Sequence, residues 1–226
     1  MRREVTPPKA PRRAAASAAR VEQILRVATK HFFEHGYAGT SIDAIVAEAG
    51  GSKRRIYEEF GGKEGLFTTI VRNNVAVALS ALAQHDAEQK SLRETLLAFG
   101  HGLTTLLTNT TGLSFFRIIV AEGVRFPALA RMFYDSGPGL AVERLTEVLE
   151  RRKRAKEIDI PDCRAAADQF VGMIRGNLLL EVVLGLRSRP KREELQAFVT
   201  EAVETFLNGI VRPASADRGQ RSSREQ

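Results

Sequence analysis

Residues 24–67 read ILRVATKHFFEHGYAGTSIDAIVAEAGGSKRRIYEEFGGKEGLF. With Val21 just before them, Ile24, Leu25, Ala28, Phe32 and Phe33 fall three and four apart, the spacing of one apolar stripe on an amphipathic helix. Gly36 suits its C-cap. Thr40 or Ser41 then caps a second helix carrying Ile42, Ile45, Val46 and Ala49, and Thr40 with Asp43 has the spacing of a capping box. That helix lasts about two turns. Gly50 and Gly51 supply the backbone freedom for a sharp corner. Ser52 can cap a third short helix from Lys53 to about Phe60, with Ile56 and Phe60 inward, and Gly61 and Gly62 end it.

Three helices with a glycine corner before the third form a helix-turn-helix arrangement, in which the later helix enters the DNA major groove. Ser52, Lys53, Arg54 and Arg55 crowd the first turn of that helix. Side chains there reach base edges or phosphates, and the amide N–H groups themselves favour an anion. If Ile56 and Phe60 anchor the helix from behind, then Lys53, Arg54, Arg55, Tyr57 and Glu58 face solvent or DNA. Lys63 opens the next helix and can meet a phosphate across the same groove.

Outward from this segment the pattern stays helical. Apolar stripes continue from Lys63 through Leu82 and recur over 91–108, 113–125, 127–135, 138–156, 161–186 and 190–210. Pro127, Pro138, Pro161 and Pro190 sit where helices can start, the one helical place where a missing amide proton costs nothing. No window alternates with period two, so no strand is expected and the fold class is all-α. The division predicted is a disordered basic arm at 1–18, a helix-turn-helix domain at 19–65, a larger helical ligand-binding and dimerisation domain at 66–211, and a disordered tail at 212–226.

The 226 residues are 43% hydrophobic and 27% charged, which is enough to bury a core and excludes collagen-like, disordered and coiled-coil-only chains. The net charge of +7 invites a nucleic-acid partner. Its placement weakens that argument: residues 1–20 hold six basic side chains and one acidic, whereas residues 21–65 hold six basic and seven acidic. Recognition must therefore depend on how a few charges are placed around the third helix.

Residues 24–67 resemble the N-terminal DNA-binding domain of the TetR/AcrR family of bacterial transcriptional regulators. The likeness strings together Ala28, Phe32, Gly36, Tyr37, Thr40, Ser41, Ile45, Ala49, Gly50, Ser52, Lys53, Ile56, Tyr57, Phe60, Lys63, Glu64, Leu66 and Phe67. It implies a cytoplasmic homodimer, more often a repressor, released from a palindromic double-stranded DNA operator by a small apolar effector. No cofactor, metal or membrane is implied. By position, Thr40, Ser52, Lys53, Arg54, Arg55, Tyr57 and Lys63 match the DNA-contacting places, with Tyr57 and Lys63 on phosphates. Gly51 stands where Val is more usual, which loosens the turn or removes a core contact. Glu58 and Glu59 put carboxylates where neutral or basic residues are common: either Glu58 accepts from a cytosine amino group, or both point away.

The segment FFRIIVAEGVRFPALARMFYDSGP, residues 115–138, resembles the AefR-like group within the family, whose effectors vary. Phe99, Leu103, Phe116, Phe126, Phe133, Tyr134, Phe170 and Met173, with Phe115 and Met132, supply aromatic and soft apolar surface for a ligand pocket. For any single one of them ordinary core packing is the simpler reading, since most buried apolar residues only pack. Arg117, Glu122, Arg125, Arg175, Asn177 and Glu181 interrupt apolar helices, where salt bridges or solvent account for most and a ligand for one or two. Helices 161–186 and 190–210 are the candidates for a dimer-forming four-helix bundle.

Two other readings fare worse. An all-α ligand-binding enzyme lacks its chemistry: HFFEH, His31 to His35, does not have the zinc-protease order, no phosphate loop or serine elbow is present, and Cys163 has no nearby His. His31 and His35 complement the helix dipole before Gly36. A membrane-surface basic protein without sequence-specific DNA binding would have charge in its arm but nothing apolar beside it to insert. No run reaches 18 uninterrupted apolar residues, and one cysteine allows no intrachain disulfide.

Overall fold

A computed structural model describes residues 10–87 and 90–208, which form ten α-helices and no strand. These are α1 (Ala10–Gly39), α2 (Ile42–Ala49), α3 (Lys53–Phe60), α4 (Lys63–Ala87), α5 (Leu92–Thr108), α6 (Thr110–Glu122), α7 (Pro127–Ser136), α8 (Pro138–Arg154), α9 (Cys163–Val183) and α10 (Arg192–Asn208).

Expected and observed helices differ where local chemistry decides the ends. The arm expected to be disordered over 1–18 lies outside the described residues only to residue 9. From Ala10 the chain is already helical, because an Ala-rich segment loses little entropy in a helix and Pro11 is tolerated in its first turn. The tail expected at 212–226 lies outside the described residues. Pro161 and Pro190 precede their helices instead of opening them; Asp162 caps α9, its carboxylate accepting from the amides of Arg164 and Ala165 at 2.9 Å. Asn109 both ends α5 and caps α6, accepting from Gly112 N at 2.7 Å, so α6 starts three residues earlier than its apolar stripe suggests.

Two apolar cores meet along α4. The first joins Ile24, Phe32, Tyr37, Ile45 and Ile56 of α1–α3 to Leu66, Phe67, Ile70, Val71 and Val75 of α4, and it is closed by Phe115 and Ile118 of α6 and Leu129 of α7. The second takes Ala78 and Leu82 from the other end of α4 and surrounds Phe99, Leu145, Phe170 and Val199 with α5, α8, α9 and α10. The boundary expected at 65/66 thus falls inside α4, and α6 and α7 complete the N-terminal core. By length and apolar composition α4 alone among the described helices could cross a membrane. Its buried apolar residues, from Leu66 to Leu82, serve the two cores, while Val77 is exposed.

Candidate nucleic-acid interface and effector cleft

The corner between α2 and α3 is built from capping and positive φ. Ser41 accepts from Ala44 N at 3.1 Å and Ser52 accepts from Arg55 N at 3.3 Å, each satisfying an amide that the first helical turn leaves open. Gly50 and Gly51 take φ of 73° and 105°, and a Cβ at Gly50 would come within 2.8 Å of the Arg20 guanidinium. Gly51 therefore leaves room above the turn, and Arg20 lies over it.

Ile56 is buried and holds α3 from behind, which turns the basic first turn outward. The side chain of Arg54 is 86% exposed, that of Lys53 60%, and Tyr57 is 58% exposed. Each cation has an acid within reach. Lys53 pairs with Asp43 at 2.5 Å, Arg54 with Glu58 at 2.6 Å, and Arg55 with Glu59 at 2.9 Å while also donating to Ser17 Oγ at 3.2 Å. Glu58 and Glu59 thus neither stand free nor point away: each lies one turn below an arginine, the helical i, i+4 arrangement. DNA must displace these exposed pairs, each a weak interaction. Glu58→Gln is therefore expected to strengthen nonspecific DNA binding and to steepen the log–log salt dependence by up to about 0.9 as one more cation meets phosphate. A gel-shift salt titration checks this; loss of preference at one base position would instead mean that Glu58 reads a cytosine.

Thr40 and Lys63, expected at the DNA surface, are used inside the protein. Thr40 is buried and its hydroxyl donates to Gly36 O at 2.7 Å, so Ser41 alone caps α2. Lys63 donates to Tyr37 O at 2.8 Å and Thr40 O at 3.0 Å and lies 4.5 Å from the centre of the Tyr37 ring. Burial lowers its pKa, opposed by Glu122 and Glu64. The ammonium fastens the start of α4 to the corner between α1 and α2. Lys63→Ala should consequently cost about 1–3 kcal/mol of stability through two stranded carbonyls, which urea unfolding measures, in addition to any loss of DNA affinity.

That corner is also held from α6. Gly36 breaks α1 with φ 68° and ψ −177°, which frees the amides of Tyr37 and Ala38, and the Glu122 carboxylate accepts from both, at 2.7 and 2.8 Å. A Cβ at residue 36 would lie 2.5 Å from a Glu122 oxygen, so glycine is required for space as well as for φ. Nearby, His31 and Lys30 both bond Glu48, at 3.0 and 2.9 Å, tying α1 to α2; the partner of His31 is thus a carboxylate rather than only the helix dipole.

Between the two cores an apolar cleft opens, enclosing about 720 Å³ including its mouth. Leu103, Phe116 and Phe133 line it, together with Val75, Phe115 and Arg175. The other expected pocket residues lie elsewhere. Phe99 and Phe170 are fully buried, their rings stacked at 6.3 Å. Phe126 packs edge-on against Tyr37 at 5.4 Å, Met173 packs against the second core, and Tyr134 is half exposed. Spacing could not separate these, because a wall residue and a core residue share one helical stripe. Phe115 belongs to both worlds: it lines the cleft and meets Phe67 edge-on at 4.7 Å. Arg117 of α6 donates to the carbonyls of Val182 and Val183 at 3.0 Å, satisfying the end of α9.

Comparison with known proteins bears on both regions. Residues 24–70 match the family model of bacterial regulatory proteins of the tetR family, and residues 94–209 match that of the AefR-like transcriptional repressor C-terminal domain. The HTH-type transcriptional repressor AcnR of Corynebacterium glutamicum is 36% identical over 55 residues, 24% of this chain and 29% of that protein. ComR, an HTH-type repressor of Escherichia coli, is 31% identical over 83 residues, 36% of this chain and 40% of its own. The matches thus span less than half the length of these curated relatives. Among solved structures, a TetR-family regulator from Mesorhizobium loti superposes with a TM-score of 0.70 at 26% identity, covering 84% of this chain and 96% of its own. The flavonoid-responsive regulator FrrA superposes at 0.65 with 32% identity over the same shares.

Proposed function

The chain belongs to the TetR family of bacterial regulatory proteins, and on that premise we propose that it is a homodimeric transcriptional repressor released from its operator by a small, largely apolar effector. The observation that carries this reading is α3 itself, anchored by buried Ile56 and presenting Lys53, Arg54, Arg55 and Tyr57 outward. Ser52 presents the helix start to phosphate, and the arginines reach base edges.

Leu180 in the last turn of α9, Leu184 at its C-cap and Leu186 just beyond are exposed, which supports pairing of α9 and α10 with their copies in a four-helix bundle. A dimer sets two α3 helices on a palindrome with half-site centres about 10 base pairs apart. The cleft is the effector site. Val71 and Val75 of α4 and Phe115 and Phe116 of α6 are among its walls. Those helices carry Lys63 and Glu122, the two side chains that clasp the corner of the DNA-binding helices. Likeness to a flavonoid-responsive regulator supports an effector of aromatic, apolar body. The protein acts in the cytoplasm and catalyses nothing. Footprinting of DNA beside its own gene tests the reading: a protected palindrome that weakens with salt is expected, and its absence at low salt, or a monomer by light scattering, overturns it.

A further inference from the structure

Arg175 is the one charged residue among those lining the cleft, whose remaining walls are apolar apart from Asn74. Asn74 already gives its amide nitrogen to Ile70 O at 2.9 Å. Arg175 lies on α9 immediately before the break at Gly176 (φ 37°, ψ −174°), where an added Cβ would come 3.0 Å from the Phe198 ring of α10. Burial lowers its pKa, while Asp168 and Tyr134 favour its charge from a distance. Among the described residues no acceptor lies within hydrogen-bond or ion-pair reach of the guanidinium. By contrast, Arg117 has the α9 carbonyls and Arg152 has Glu157 and Lys90 O.

We propose that the effector is an organic anion, an apolar body bearing one carboxylate or comparably acidic oxygen group, and that Arg175 is its counter-charge. The proposal rests on the cleft being the effector site. A guanidinium offers five donors in a planar fork that matches two oxygens of one acidic group. In an apolar cleft a ligand without an acceptor would strip water from that cation and return nothing, a neutral oxygen returns a weaker bond, and an anion satisfies it most fully. The charge therefore selects among ligands of equal apolar surface. Its place beside the α9 break also puts the ion pair on one of the two helices proposed to form the dimer bundle.

A pair of fluorescent probes with one shared body tests this on the full-length dimer: 1-anilinonaphthalene-8-sulfonate, an anion, and N-phenyl-1-naphthylamine, its neutral counterpart. The anion should bind the wild type more tightly. Arg175→Gln should weaken the anion about tenfold to a hundredfold and leave the neutral probe unchanged or tighter. Arg175→Lys, which keeps the charge without the fork, should retain part of the preference and serves if the glutamine variant folds poorly. Leu103→Trp, which fills the cleft, should abolish both signals. An unchanged ratio of the two affinities in both Arg175 variants overturns the anion proposal while leaving the cleft as an apolar effector site. If Leu103→Trp leaves both probes bound as before, the effector-cleft reading itself fails, and the anion proposal fails with it.

Discussion

Phe67→Ala is expected to lower the free energy of unfolding by about 3–5 kcal/mol, the range for removing a large aromatic ring from a packed core. Phe67 is fully buried and meets Phe32, Tyr37 and Phe115 edge-on, at 5.3, 5.6 and 4.7 Å. Those partners belong to α1 and α6, so no single helix can shift to fill the space without disturbing the others. Urea unfolding at fixed protein concentration measures the loss as a lower midpoint with an unchanged slope. A loss below about 1 kcal/mol, far under that range, would mean that the α1, α4 and α6 rings do not pack as a unit. Because Phe115 also lines the cleft, the variant should blunt the response of DNA binding to any effector.

Arg54→Ala and Arg55→Ala are each expected to cost about 1–3 kcal/mol of operator affinity and to relax base preference at one position per half-site, where the arginine reads a guanine. The tertiary structure adds a second source of loss. Each substitution releases a partner carboxylate, Glu58 or Glu59, that the arginine had neutralised, and a free carboxylate near phosphate repels it. Fluorescence anisotropy on the operator and on a scrambled duplex separates the two contributions, since repulsion weakens both duplexes and lost readout only the first. Combining Arg54→Ala with Glu58→Gln should therefore recover nonspecific affinity but not sequence preference. If both single variants bound within twofold of wild type, α3 would not be the recognition helix.

The helices were legible in the sequence because the signals that set them are local. Ser52 and Asp162 cap the helices that follow them, Gly61 ends α3 in the left-handed conformation, and Ile24, Ala28 and Phe32 recur four apart along the stripe of α1 that is buried. The start of α1 is less legible, since prolines and arginines suggest an arm where from Ala10 an alanine-rich helix runs on. The site was legible only in outline. The basic first turn of α3 stands where its pattern places it, but the use of Thr40 and Lys63 depends on carbonyls of a corner that no spacing rule describes. The pocket residues divide for a related reason: Phe99 and Phe116 carry the same hydrophobic signal, and only the facing helices make one core and the other wall.

By itself, then, the sequence determined an all-helical chain with a glycine corner and a cationic helix start, because periodicity, caps and turn residues act over a few positions. The tertiary structure alone decided which of those charges are free to meet DNA and how the cleft connects to them. Glu122 reaches amides 85 and 84 residues away in sequence, and Arg175 is left without an acceptor among apolar walls drawn from several helices. Such contacts follow from packing two cores against one shared helix, which no local pattern encodes.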